Sequence, residues 1–194
     1  MRNTSAEVDR RVNKAMMVGV QAGDPDFAEA DSTNNPGLLT DAQTAITLAG
    51  KDAITFDELV DAHISIGEEY FAQSLVWMMR LATQGLLWKL KDSQERPVFI
   101  EGSLASGIPP SVLGYPVVLD SNLDTAVSSA ASQNIAVFGA VQYGFLIRQS
   151  QMRLNIYDDS QYSSRGKIGY SSSRYNGGRM IDIGGGIRKV VTAA

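Results

Sequence analysis

Two serines and one histidine are the residues to question first as chemistry. In Gly102-Ser103-Leu104-Ala105-Ser106-Gly107, glycines bracket two hydroxyls, which is the setting of a strained nucleophile turn. The offsets are wrong, because neither serine stands midway in a G-x-S-x-G frame. A serine nucleophile also needs a base to take its proton. His63 is the sole histidine, and nothing in the sequence brings it near. A small hydrolase using Ser103 or Ser106 with His63 therefore stands only as a rival reading, tested by loss of turnover on His63→Ala. His63 itself lies beside the apolar face of a helix, where a histidine is ordinarily half-buried, hydrogen-bonded and structural.

Metal and phosphate chemistry fare no better. Asp120-Ser121-Asn122-Leu123-Asp124 begins like a calcium loop, but Thr125 replaces the turn glycine and Ala131 the closing glutamate. A polar loop after a strand is expected there. Gly184-Gly185-Gly186 has no helix pattern or Lys-Ser/Thr after it, so a turn is expected rather than a phosphate cradle. With no cysteine and one histidine, thiolate sites, disulfides and histidine-based zinc clusters are excluded. No catalytic, cofactor-binding or metal residue is expected, and no cofactor.

The elements that position these residues centre on Leu113-Gly114-Tyr115-Pro116-Val117-Val118. Proline pushes Tyr115 towards extended geometry, and glycine admits the turn before it, so 115–119 reads as a strand entered through a tight turn. Upstream, Val8, Val12, Ala15, Met16, Gly19 and Val20 form one stripe of a helix over 5–22, with Ser5 as N-cap and Gly23-Asp24-Pro25 as its stop. Residues 23–54 read as a polar loop. Thr55-Phe56-Asp57-Glu58 is a capping box opening a helix to about Phe71, with Phe56, Leu59, Val60, Ile64 and Tyr70 on one face. Ser74–Met79 is an apolar strand in which Trp77 is core rather than a ligand-stacking residue, and a second helix runs through Leu87 to Asp92. Asn134–Gly139 and Gly144–Arg148 are short apolar segments, and Met152–Asp158 alternates like a half-exposed strand. Two or three further strands close the chain.

At 194 residues, 44% hydrophobic and 20% charged, with a mean hydropathy of −0.09, the composition is that of a soluble globular protein of one domain or a core with a small satellite. No apolar run reaches the length of a membrane span, and no signal-peptide pattern follows Met1, so a cytoplasmic origin is the default and the Asn3-Thr4-Ser5 sequon has no meaning. The net charge of −4 argues against a dedicated nucleic-acid binder. Its distribution is uneven: from Gly144 onward, eight basic residues (Arg148, Arg153, Arg165, Lys167, Arg174, Arg179, Arg188, Lys189) face three acidic ones (Asp158, Asp159, Asp182). That balance of +5 leaves −9 for residues 1–143. Such a split suggests surfaces facing different surroundings, complementary surfaces on neighbouring copies, or simply solvated strands.

Leu113–Val118, taken with Phe138-Gly139 and Gly144-Phe145-Leu146-Ile147, resembles the turn-and-strand core of the tailed-bacteriophage major capsid protein family. Flanking segments resemble that family in the same order. The helix at 5–22 is similar to the end of the capsid spine helix, and Asn34-Asn35-Pro36-Gly37-Leu38-Leu39 to the turn that follows it. Next come a helix, the strand with Val76-Trp77 and Met79, and a helix ending in Leu90-Lys91-Asp92. Ala140 stands where many members have Asp. The resemblance runs from roughly residue 6 to 192.

It implies an α+β phage major capsid fold with an axial lobe at 50–150 and a peripheral lobe from 1–49 and 151–194. The N-terminal arm, the extended loop and the first part of the spine helix have no counterpart, as in a fragment or a degraded prophage gene. The implied function is that of a structural subunit of a viral or prophage icosahedral capsid, not an enzyme. It would be a homo-oligomer of pentamers and hexamers, with portal and scaffolding proteins and non-specifically packaged DNA as partners and no membrane. It would reside in the virion capsid, and in the host cytoplasm before assembly. Arg174 and Arg179 are the candidates for DNA contact. The Lys–Asn cross-link of some members is not expected, since its lysine lies in the missing loop. Alternatives are an encapsulin-like compartment subunit, the hydrolase above, and a monomeric binding module of a tail or adaptor protein.

Overall fold

The computed structural model describes residues 4–18, 37–50, 54–91, 95, 110–124, 132–157, 164, 166, 168–181 and 185–193. Helix α1 spans Thr4–Val18. Ser5 lies inside its first turn instead of capping it, and the expected stop at Gly23-Asp24-Pro25 falls outside the described residues. Ala15, Met16 and Met17 are its buried contribution.

The segment expected to be a polar loop to residue 54 instead contains a helical turn, α2 (Leu38–Asp41), and a strand, β1 (Gln43–Thr47). Leu38 and Leu39 are buried, so the turn after Gly37 is an anchor. Helix α3 (Phe56–Ile64) opens with the expected capping box, Thr55 accepting from the Glu58 amide while the Glu58 carboxylate accepts from the Thr55 amide. It ends sooner than expected, at Ile64. The Ser65 hydroxyl donates to the Ala62 carbonyl at 2.7 Å, and a separate 3₁₀ turn follows at Glu68–Ala72. Leu59 and Ala62 are its buried residues, whereas Phe56 and Ile64, expected on that face, are 40% and 67% exposed.

Strand β2 (Val76–Met79) leads into α4 (Leu81–Trp88), which stops short of the expected Asp92. Strand β3 (Ser111–Val112) and β4 (Tyr115–Leu119) form a hairpin through Leu113-Gly114, both with positive φ (51° and 85°). That is the turn geometry which suits tightly connected antiparallel strands. Then come β5 (Asn134–Gly139), the turn α5 (Val141–Gly144), β6 (Phe145–Gln149), β7 (Arg153–Tyr157), β8 (Gly169–Ser173), β9 (Asn176–Met180) and β10 (Ile187–Val191).

Six strands form one mixed sheet in the order β1-β10-β5-β2-β4-β3. β2 runs parallel to β4 and β1 to β10, while β5 lies antiparallel between β2 and β10. Both faces are covered, which explains why Ile135–Gly139 is buried throughout. On one face Trp77, Met79, Phe138 and Val190 pack with Leu59, Ala62 and Leu87 of α3 and α4. On the other, Val137 and Ile187 pack with Met17 of α1 and Leu38 and Leu39 of α2, with Met78 against them. Adjacent residues thus serve opposite faces, the period of a strand. β6–β9 and β7–β8 are two-stranded ladders outside this sheet.

One position shows what the centre demands. Gly139 has φ +151°, and a Cβ there would lie 2.2 Å from the Gly186 carbonyl oxygen and 2.7 Å from Ile187 Cα. The β5–β10 ladder closes at that point only because residue 139 has no side chain.

Candidate functional site

His63 sits on the inner side of α3, half-buried. Its Nε2 meets the Tyr115 hydroxyl at 3.4 Å, and its ring lies 5.1–5.5 Å from those of Phe71, Tyr115 and Phe138. Phe138 in turn stacks on Trp77, centroids 4.4 Å apart. This aromatic stack fastens α3 and the 3₁₀ turn to β4 and β5. Among the described residues the imidazole meets the Tyr115 hydroxyl and three aromatic rings and no carboxylate or serine hydroxyl, the contacts of a packing residue with a polar handle. Ser103 and Ser106 lie outside the described residues.

The acidic turn is satisfied from within. Asp120 Oδ1 accepts from the Asn122 amide at 2.8 Å and its Nδ2 at 2.9 Å, and Asp124 Oδ2 accepts from the Asn134 amide at 3.0 Å. Its carboxylates hold the exit of β4 to the start of β5. Among the described residues no group of three or more metal-capable side chains comes together, and no helix is long and apolar enough to cross a membrane.

Glu58 does more than cap. Its Oε1 accepts from the Ala49 amide at 2.8 Å while Oε2 takes the Thr55 amide and hydroxyl at 2.7 and 2.8 Å, so one carboxylate ties the end of β1 to the start of α3. Burial raises its pKa, but the bonds from Ala49 and Thr55 more than offset this and hold the carboxyl below its ordinary range.

The basic residues of the C-terminal part divide by role. Lys189 donates to the Leu39 carbonyl at 2.8 Å and so stitches β10 to α2, and Arg188 is partly buried in the same strand. Arg165 and Lys167 lie outside the described residues. Arg148, Arg153, Arg174 and Arg179 stand exposed on the two ladders, where Arg174 donates to Gln149.

Those ladders form one antiparallel ribbon. Phe145 pairs with Met180 at its base and Gln149 with Asn176; Ser150 and Tyr175 bond across the join; Arg153–Tyr157 then pairs with Gly169–Ser173. At the base, one side packs inward: a Cβ on Gly178 would lie 2.5 Å from Met16 Sδ of α1. Beyond it every residue of β7 is exposed, with Leu154, Ile156 and Tyr170 at 57%, 62% and 66%. The alternation at Met152–Asp158 predicts the strand, but half-exposure is not what the structure holds.

A doubly covered mixed sheet flanked by helices and carrying an arginine-bearing two-stranded ribbon defines an α+β protein. The comparisons give the particular kind. The model of the phage capsid family matches residues 1–183, and the chain belongs to that family. No curated protein matches it. Among solved structures, the capsid of an empty GTA particle is similar at 22% identity and a TM-score of 0.75, over 98% of this chain and 64% of that one. The capsid of a native GTA particle is 25% identical with a TM-score of 0.72, over 98% and 69%. A chain of Gordonia phage Cozz is 16% identical with a TM-score of 0.59, over 98% and 61%. The α+β capsid fold is therefore shared over almost the whole chain, which spans about two thirds of the length of these neighbours.

Proposed function

We propose that the chain is a structural subunit of a phage or prophage capsid, self-associating into capsomers that enclose a genome. The observation that carries this is the family match over residues 1–183, together with the fold shared with the GTA capsids. Such a function needs no catalytic residue: many identical weak contacts, summed over a closed symmetric array, hold a container together.

In this reading residues 50–150 form the axial lobe around the capsomer axis, and 1–49 with 151–194 the peripheral lobe. β1 and β10 come from the second set and join the sheet of β2, β4 and β5, so the lobes would share that sheet. Neighbouring copies are the principal partner, portal and scaffolding proteins the others. Packaged DNA meets the wall through non-specific phosphate charge, with Arg174 and Arg179 as contacts. The chain resides in the virion shell, and in the host cytoplasm before assembly.

The test is multi-angle light scattering on a sizing column over a range of concentrations, with negative-stain images of the peak. Rings or shells are expected. A chain that stays monomeric at every concentration overturns self-assembly by this chain. Charge reversal at Arg174 and Arg179 with no effect on packaged DNA removes those two residues from the DNA contact.

A further inference from the structure

The ribbon has two unlike faces. Residues directly opposite in an antiparallel ladder share a face, and successive residues alternate. In the first ladder Phe145, Ile147 and Gln149 therefore lie with Met180, Gly178 and Asn176, while Leu146 and Arg148 lie with Arg179 and Gly177. The two glycines tell the faces apart: a Cβ on Gly178 would strike Met16 Sδ and the Phe145 ring, whereas one on Gly177 would meet nothing within 4 Å. The first face is turned to the body of the protein at its base. The second is turned away from it.

The alternation carries through the join. Ser150 and Tyr175 bond across it and the next pair is Arg153 with Ser173, so Gln151 and Met152 together oppose Arg174 in a β-bulge. Along the strand without the extra residue, Tyr175, Ser173 and Ser171 fall on the outer face with Arg179, and their partners Arg153 and Asn155 fall there too. Arg174 and Tyr170 fall on the inner face, with Leu154 and Ile156. The hydrogen bond from the Arg174 guanidinium to Gln149 Oε1 gives the same assignment independently, since Gln149 belongs to the inner face.

The outer face accordingly gathers Arg148, Arg153 and Arg179, with Tyr175 among them at 74% exposure and serines and Asn155 beside them. No described residue on it is acidic, and its three guanidiniums have no hydrogen-bond or ion-pair partner among the described residues. The register places one large aliphatic side chain on it, Leu146 at the base.

We propose that this outer face is a sequence-neutral contact for the phosphate backbone of a nucleic acid, made by Arg148, Arg153 and Arg179. It rests on the packaged-DNA reading and refines it: Arg179 stays, Arg148 and Arg153 join it, and Arg174, engaged on the opposite face, lies outside it. The core of a protein interface is apolar and depleted of charge, and the ribbon's aliphatic strip lies on the other face. Phosphate and sugar oxygens instead take arginine, serine, asparagine and tyrosine, the side chains gathered here.

The parent chain is titrated against a short labelled DNA duplex by fluorescence anisotropy over a range of salt, below the concentration at which light scattering detects assembly. Three phosphate contacts give log K a slope on log salt of about −2.7, a loss of about forty-fold between about 50 and 200 mM. Arg148→Gln, Arg153→Gln and Arg179→Gln should each flatten the slope by about 0.9, and equally on a duplex of unrelated sequence. Arg174→Gln should leave it unchanged. All four positions are exposed, and thermal melting confirms that each variant is folded before it is titrated. Binding that ignores the three substitutions, or that Arg174→Gln weakens as much as they do, overturns the inference and leaves the DNA contact elsewhere on the chain. No binding at the lowest salt overturns the inference and the DNA contact together, while rings or shells in light scattering and negative stain keep the capsid reading. A triple variant that binds DNA like the parent but no longer assembles makes the face a protein interface and overturns the inference.

Discussion

Trp77 offers a quantitative test of the core that carries these surfaces. It is fully buried, stacked on Phe138, and paired across strands with Phe138 and Val117. Its indole Nε1 finds no acceptor among the described residues, so the ring contributes packing while its N–H is stranded. Trp77→Ala removes the whole ring, and at about 3–5 kcal/mol this approaches the whole stability of a marginal domain, about 5–15 kcal/mol. Trp77→Phe leaves a smaller void, costing about 1–2 kcal/mol on the same scale. It also removes a buried unsatisfied donor, returning about 1–3 kcal/mol. The two nearly cancel, so the phenylalanine variant should lie within about 1 kcal/mol of the parent. Urea titration by circular dichroism measures both, with an unchanged slope as the check that unfolding exposes the same surface. A Trp77→Phe cost equal to that of Trp77→Ala would falsify the reasoning, because it would mean that the indole N–H is bonded.

Two other substitutions probe the frame. Gly139→Ala should cost more than about 4 kcal/mol, since the added Cβ meets the Gly186 carbonyl and Ile187 Cα, backbone that moves only if the β5–β10 ladder opens. Thermal melting reads this as a drop of about 2–4 °C per kcal/mol at this size, and a variant melting with the parent sinks the claim. Glu58 has a lowered carboxyl pKa, so its contribution is present above the unfolded-state value and is lost as pH falls through the lower folded value. Glu58→Gln should cost about 1 kcal/mol near neutral pH, a modest figure because the carboxylate is partly solvent-screened, and the two proteins should converge in melting temperature as pH falls through that lowered value. Parallel melting curves across that range refute the assignment.

What was legible in the sequence was mostly local. The Thr55–Glu58 box, the turn at Leu113-Gly114 and the strand at Asn134–Gly139 each carry their signal within a few residues. β1 was hidden because Gln43–Thr47 is short and polar-flanked, and it exists through pairing with β10, far away in the chain. The early end of α3 depended on Ser65 bonding back to Ala62, a competition between side chain and backbone that apolar spacing does not report. The basic C-terminal tally ran together Lys189, which bonds the Leu39 carbonyl and stitches β10 to α2, with the ribbon arginines, which stand exposed.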